Sequence, residues 1–263
     1  MNTTEQWQKA LQEEGYEHHL RDFQDCQKLK KFSRLWRRIF KITKIDPIAS
    51  QKLRKVCEVG CGGGKHLIPF ALNSWQSVGI DCSKEVLERA ANFSKEVSRV
   101  CRQNILIELI LGDFLTYRPK EKEEFDLVYQ IGVLEHFLDT EERLLALKKM
   151  FKITKPGGYV ISIVPSGIHP LRAKMKKENL GGYNIPEIDY SPELISQELK
   201  NCGGKEIQIF GHNIFNYIFL KGSEFKFFKK IFYLVWQAIP LSILPKKFVY
   251  RHSDALIGIT KKP

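Results

Sequence analysis

The run Val56-Cys57-Glu58-Val59-Gly60-Cys61-Gly62-Gly63-Gly64 constrains the fold of this chain more than any other stretch. It has the length and composition of a buried strand that carries an acid and then breaks into glycines. A helix-like segment, Lys65 to Leu72, follows at once. Such a strand–turn–helix lets main chain approach a nucleotide-like ligand closely, because glycine has no Cβ to stand in the way. A dinucleotide turn wants G-x-G-x-x-G. Here the glycines fall at 60, 62 and 64, and Lys65 occupies the slot of the last dinucleotide glycine.

From residue 53 onward the pattern alternates. Strands are expected over Leu53–Val59, Ser77–Ile80, Ile105–Leu111, Phe125–Ile131, Tyr159–Val164, Ile207–Phe210 and Ala255–Thr260. Helices are expected from Ser83 to about Val100, from Asp139 or Thr140 through Phe151, and from Ser191 to Asn201. Ser83 and Ser191 are good caps, and Leu144, Leu145, Leu147 and Phe151 make one apolar side of the middle helix. Strands alternating with helices imply an α/β chain, its sheet mostly parallel with helices on both faces. Ligands bind such sheets beyond the carboxyl ends of the strands. Glu58, Asp81, Asp113 and Gln130 all fall at or just beyond those ends.

The edge so formed has a definite chemistry. Asp81 comes 21 residues after Gly60, and a carboxylate there can accept both hydroxyls of a ribose. Gly112-Asp113-Phe114 adds an acceptor for an exocyclic amine and an apolar ring for a purine. No residue of the set is dedicated to a pyrophosphate. The site wants adenosine bearing something other than a diphosphate.

These residues resemble the class I S-adenosylmethionine-dependent methyltransferases of small molecules. The resemblance covers roughly residues 50–212, with the final strand at 255–260. Glu58-x-Gly60-x-Gly62-x-Gly64 is similar to that family's first motif, Asp81 to its ribose acid and Gly112-Asp113-Phe114 to its adenine motif. Gln130-Ile131-Gly132-Val133-Leu134-Glu135-His136-Phe137 resembles its segment after the fourth strand, and Lys155-Pro156-Gly157-Gly158 its turn before the fifth. The resemblance implies a Rossmann-like, doubly wound, seven-stranded sheet whose last strand is antiparallel. It implies S-adenosyl-L-methionine as cofactor and S-adenosyl-L-homocysteine as product. Cofactor contacts would come from Glu58, Gly60, Cys61, Gly62, Gly64, Asp81, Cys82, Gly112, Asp113, Phe114, Gln130 and Ile131. No metal is expected. His136 has an ordinary pKa suited to a general base, although Glu135-His136 can equally be packing after the strand.

The acceptor is less constrained. The [DNS]-P-P-[YF] motif and the Pro-Cys nucleophile are absent, so amino-methylation of DNA or glutamine and cytosine-C5 chemistry are not expected. Glu135-His136-Phe137 also resembles a segment of the lipid-modifying cyclopropane synthases, but Gly63 stands where their first motif carries tryptophan. Residues 165–190 form a polar loop in which His169, Arg172 and Tyr183, with Glu135, are candidate substrate contacts or plain connecting residues.

The net charge of +12 sits in two additions, eight Lys/Arg without an acid over 28–44 and seven against Glu224 alone over 221–251. Leu29, Phe32, Leu35, Trp36, Ile39 and Phe40 recur at helical spacing in the first, a basic amphipathic helix. The domain reading is a helical extension or cap at 1–48 and a methyltransferase domain at 49–263, with a helical insertion at 213–250. Both additions can cap an apolar acceptor pocket, or 28–44 and 225–247 can meet a membrane surface; nucleic acid is not expected, since no recognition motif accompanies the charge. Six cysteines without a C-x-x-C pair suggest free thiols in a reducing cytosol, and the polar N-terminus is no signal peptide. The expected activity is therefore methyl transfer to a small, partly apolar acceptor, O-methylation favoured, in the cytoplasm or at a membrane periphery. The alternatives are a membrane-surface methyltransferase of a quinone or lipid precursor, and a catalytically silent S-adenosylmethionine-binding module.

Overall fold

The computed structural model describes residues 5–6, 25–48, 53–118, 125–178, 185–216, 226–239 and 243–263. Seven strands form one sheet: β1 (Lys55–Val59), β2 (Gln76–Asp81), β3 (Ile107–Leu111), β4 (Phe125–Ile131), β5 (Thr154–Pro165), β6 (Lys205–Ile214) and β7 (Ser253–Lys261). Their order is β3-β2-β1-β4-β5-β7-β6. β7 runs antiparallel to both of its neighbours, and the other pairings are parallel. The expected doubly wound α/β sheet is what the chain forms.

Side chains alternate across this sheet with period two, and each face has its own core. Cys57, Val59, Val128, Val160 and Leu256 point to one face, where α5 (Thr140–Ile153) and α7 (Pro192–Asn201) cover them with Leu147, Met150, Ile195 and Leu199. Val56, Leu127, Tyr129, Ile161 and Ile257 point to the other. There α2 (Arg34–Thr43) and α3 (Ile68–Leu72) lie over them with Trp36, Ile39, Phe40 and Phe70, joined by Leu87 of α4 (Lys84–Cys101).

Several expectations change in detail. The basic segment 28–44 is two helices, α1 (Cys26–Lys30) and α2, because Ser33 turns the chain and its Oγ accepts from Trp36 N at 3.4 Å. Its apolar side is spent on the sheet. The helix after the glycine turn begins at Ile68, behind a turn at 65–67, and Leu145 faces outward while Arg143 is buried. Cys26 and Cys101 form a disulfide tying α1 to the end of α4. Sequence spacing hides a pair 75 residues apart, and the bond removes the cysteine-based argument for a reducing compartment. Cys57, Cys61, Cys82 and Cys202 are free thiols.

Between β6 and β7 lie α8 (Lys226–Ala238) and α9 (Lys246–His252). A short helix, α6 (Arg172–Lys177), follows β5. Among the described residues no helix is long and apolar enough to cross a membrane.

Candidate cofactor and acceptor site

The turn after β1 is bound to the end of β2. Gly60 N and Cys61 N both donate to Ile80 O, at 2.8 and 3.1 Å. Gly60 has φ +67°, and a Cβ there would overlap the Val133 side chain, so only glycine fits. Gly62 and Gly64 also sit at positive φ. The Cys61 side chain turns inward against Gly79 and leaves its main chain to line the edge.

Asp81 holds this edge together. Its Oδ2 accepts from Gly62 N at 2.9 Å and its Oδ1 from Ser83 N at 3.0 Å, so one carboxylate joins the glycine turn to the start of α4. Burial raises its pKa, and the N–H donors pull part of the way back. Asp81 O accepts from Gly112 N at 2.9 Å, which brings the 112–114 turn alongside. There Asp113 Oδ1 accepts from Leu115 N at 2.8 Å, and Phe114 is core-packed, stacked on Tyr117 at 6.4 Å. Between the two acids, burial followed by Asp81 and Asp113 pushes the Cys82 thiol up to about 12, so it stays protonated.

Glu58 lies on the sheet face that α2 covers, and the charge of Asp81 reaches it. It pairs in register with Tyr129, whose ring meets Trp36 at 4.7 Å. Glu58 is 2% exposed, and burial raises its carboxyl well above the usual range, with the Tyr129 hydroxyl countering in part. Glu58 Oε2, Tyr129 Oη and Trp36 Nε1 are buried without a well-formed hydrogen bond among the described residues, and the Glu58 carboxyl and Tyr129 hydroxyl interact across the β1–β4 pair.

Beyond β4 the chain builds a second cluster. Both ends of the Gln130 side chain are engaged: Nε2 donates to Ser162 Oγ at 2.7 Å and Oε1 accepts from Val133 N at 2.9 Å. A 3-10 turn, Leu134–His136, follows and buries both Glu135 and His136. The loop after β5 returns across it, with Ile188 N donating to Glu135 O at 2.8 Å. His136 Nδ1 lies 3.2 Å from Pro186 O. A carbonyl only accepts, so the neutral ring carries its proton on Nδ1 and its lone pair on Nε2. Burial first of all lowers the His136 pKa, keeping the ring neutral. Glu135 lies beside it, Oε1 at 3.9 Å from Nε2, with its own pKa raised by burial to about 8.

His169 and Arg172 are buried rather than exposed loop residues. Burial, then the charge of Arg172, lowers the His169 pKa to about 4. Arg172 pairs with Glu187 at 2.6 Å and Asp189 at 2.8 Å, so it acts on anything bound there through those carboxylates. Tyr183 lies outside the described residues.

Glu135, His136 and Glu187 bring ligand-type atoms within 4.8 Å of one another. The Arg172 guanidinium pairs with Glu187 at this cluster. Glu187 and Asp189 escaped the sequence reading because nothing in their spacing connects them to residue 135. Arg143 and Glu198 escaped it too; their 2.7 Å ion pair, with Tyr190 OH donating to Glu198 at 2.8 Å, pins α5 and α7 behind the cluster.

Residues 57–162 match the family model described as a methyltransferase domain. A probable tRNA methyltransferase 9B of Homo sapiens is 32% identical over 110 residues, 41% of this chain and 21% of that protein. Thiocyanate methyltransferase 1 of Brassica oleracea is 30% identical over 116 residues, 44% of this chain and 48% of its own length. The chain thus spans about a fifth to a half of these relatives. In structure, a SAM-dependent methyltransferase of Archaeoglobus fulgidus superposes with a TM-score of 0.57 at 15% identity, over 90% of this chain and 97% of that one. The relatives' names include a tRNA and a thiocyanate enzyme, so the likeness does not narrow the acceptor and lends no support to the dismissal of nucleic acid.

Proposed function

We propose that this chain, a member of the class I S-adenosylmethionine-dependent methyltransferases, transfers a methyl group to the hydroxyl of a small, partly apolar acceptor. The observation that carries the reading is the buried His136, whose Nδ1 faces Pro186 O and whose Nε2 is thereby left as an acceptor at the edge of the sheet.

The residues present fit the cofactor. Asp81, steadied by Gly62 N and Ser83 N, would take the ribose hydroxyls on its remaining lone pairs. Asp113 and the edge of Phe114 would flank the adenine. Main chain at Gly60, Cys61, Gln130 and Ile131 would border the methionine portion, and its ammonium would face the buried Glu58 carboxyl. Gly64 keeps the turn tight, Gly112 leaves open space beside Asp113, and Cys82 contributes main chain and bulk rather than a thiolate. When bound, the cofactor supplies a methyl group activated on a sulfonium.

The chain's own part is proton handling and positioning. His136 Nε2 would take the hydroxyl proton as the oxygen becomes a nucleophile, with the Glu135 carboxyl, kept protonated by burial, beside the ring. Arg172 would hold Glu187 and Asp189 in place, while His169 stays neutral. Leu138 and Ile168, close in sequence to His136 and His169 and 54% and 39% exposed, would suit an apolar acceptor body.

The test is transfer of labelled methyl to a panel of phenols, alcohols, thiols, amines and tRNA, with the methylated atom mapped. Methyl found on oxygen, with transfer collapsing in a His136→Gln protein, supports the reading. Methyl found on sulfur, nitrogen or RNA overturns the acceptor, and cofactor binding without transfer to any of them leaves a silent binding module.

A further inference from the structure

We infer that the outer side of α8 and the basic side of α2 together dock this protein on the surface of an anionic lipid bilayer. In α8, Ile231, Leu234 and Val235 are 46, 55 and 55% exposed, and Ile243 beyond it is 71% exposed. The helix is nonetheless anchored: Trp236 packs on Phe215 at 5.0 Å and on Phe248 at 5.6 Å. Its inner side is held by an aromatic cluster at the end of β6, and an aliphatic side is left bare. Single exposed apolar residues are ordinary, but a contiguous run on one helix marks an interaction surface.

Lys230, Lys246 and Lys247 are exposed beside that run, and residues 226–239 and 243–252 contain no acid. Within these two helical segments the charge has one sign, and the nearby Asp254 is tied to Asn216. α2 lies on the same side of the molecule. Arg38 Nη1 donates to Gly211 O in β6 at 2.9 Å and covers the Phe210 ring at 4.1 Å, while the charge of Arg34 acts on Tyr233 in α8. Because Leu35, Trp36, Ile39 and Phe40 are buried on the sheet, α2 presents Arg34, Arg37 and Lys41 outward.

An exposed aliphatic strip with Lys230, Lys246, Lys247 and the outward cations of α2 around it complements an anionic lipid interface. The apolar residues enter the acyl boundary and the cations lie among headgroup phosphates. A helix of 13 residues lies on such a surface and does not cross it. An RNA duplex would use the cations and leave the aliphatic strip unexplained. The inference is independent of the acceptor assigned above.

The test uses the full chain, in co-sedimentation with phosphatidylcholine vesicles with and without phosphatidylglycerol. Binding is expected to be at least about tenfold stronger to the anionic vesicles and to weaken near 0.5 M salt. A Leu234→Ser/Val235→Ser protein loses binding at both salts, and an Arg37→Glu/Lys41→Glu protein loses it chiefly at low salt. Calorimetry with S-adenosyl-L-homocysteine shows that each variant is folded and separates a failed surface from a failed cofactor site. Equal binding to neutral and anionic vesicles, no binding to either, or wild-type binding by the apolar variant overturns the inference. So does tRNA binding that the apolar variant keeps and the vesicles cannot compete away.

Discussion

His136 Nδ1 lies 3.2 Å from the main-chain oxygen of Pro186, and that one contact places the lone pair of the neutral ring on Nε2. A His136→Gln protein is expected to bind cofactor normally and to lose roughly a hundredfold to ten-thousandfold in kcat. Steady-state rates beside calorimetric cofactor affinity check this. Full turnover in the variant would remove His136 from the chemistry.

Glu135 makes stability depend on pH in a definite sense. Its folded pKa of about 8 lies above the unfolded value of about 4.3. The native state therefore keeps a proton that the unfolded chain releases, and the associated stability is lost as pH rises toward 8. Comparing the wild type with Glu135→Gln, the difference in unfolding free energy should shift against the wild type by about 1.4 kcal/mol per pH unit between pH 5 and 8. Urea unfolding of both proteins at four pH values measures it. Parallel curves would mean that the carboxyl is ionised in the fold.

Arg143 and Glu198 are 5% and 3% exposed at a 2.7 Å separation. Removing one partner strands the other charge in the core, so Arg143→Met should cost about 3–5 kcal/mol. The double change Arg143→Met/Glu198→Leu should recover a large part of that loss. Chemical denaturation of the two variants distinguishes a stranded charge from lost packing, which the double variant would not recover.

Gly60→Ala should cost about 1–3 kcal/mol of stability, because φ +67° strains a residue with a side chain and the added Cβ meets Val133. Cofactor affinity should fall with it, since relief requires the turn to move. Thermal unfolding and calorimetry on one sample test both. Unchanged affinity would separate the turn from the ligand.

The glycine turn, Asp81 and the sheet were legible because each depends on neighbours in sequence. Gly60 is required by its own φ, and the strand at 125–131 announces itself by composition. What escaped was set by distant contacts. The 28–44 segment reads as a single membrane-type amphipathic helix, yet Trp36 and Phe40 belong to a core completed by Phe70 and Tyr129. Leu145 reads as core by helical period, and the buried place goes instead to Arg143 because Glu198 waits for it from α7. Glu187 enters the cluster only through the fold of the loop after β5, held by Arg172 and by Ile188 N on Glu135 O.

The central claim is that the turn at 58–64 and Asp81 form one cofactor site, and calorimetric titration of S-adenosyl-L-homocysteine into wild type and Asp81→Ala tests it directly. Wild-type binding, with at least about a tenfold loss in the variant, is the result predicted. No binding by the wild type, or equal affinity in a folded Asp81→Ala protein, would contradict it.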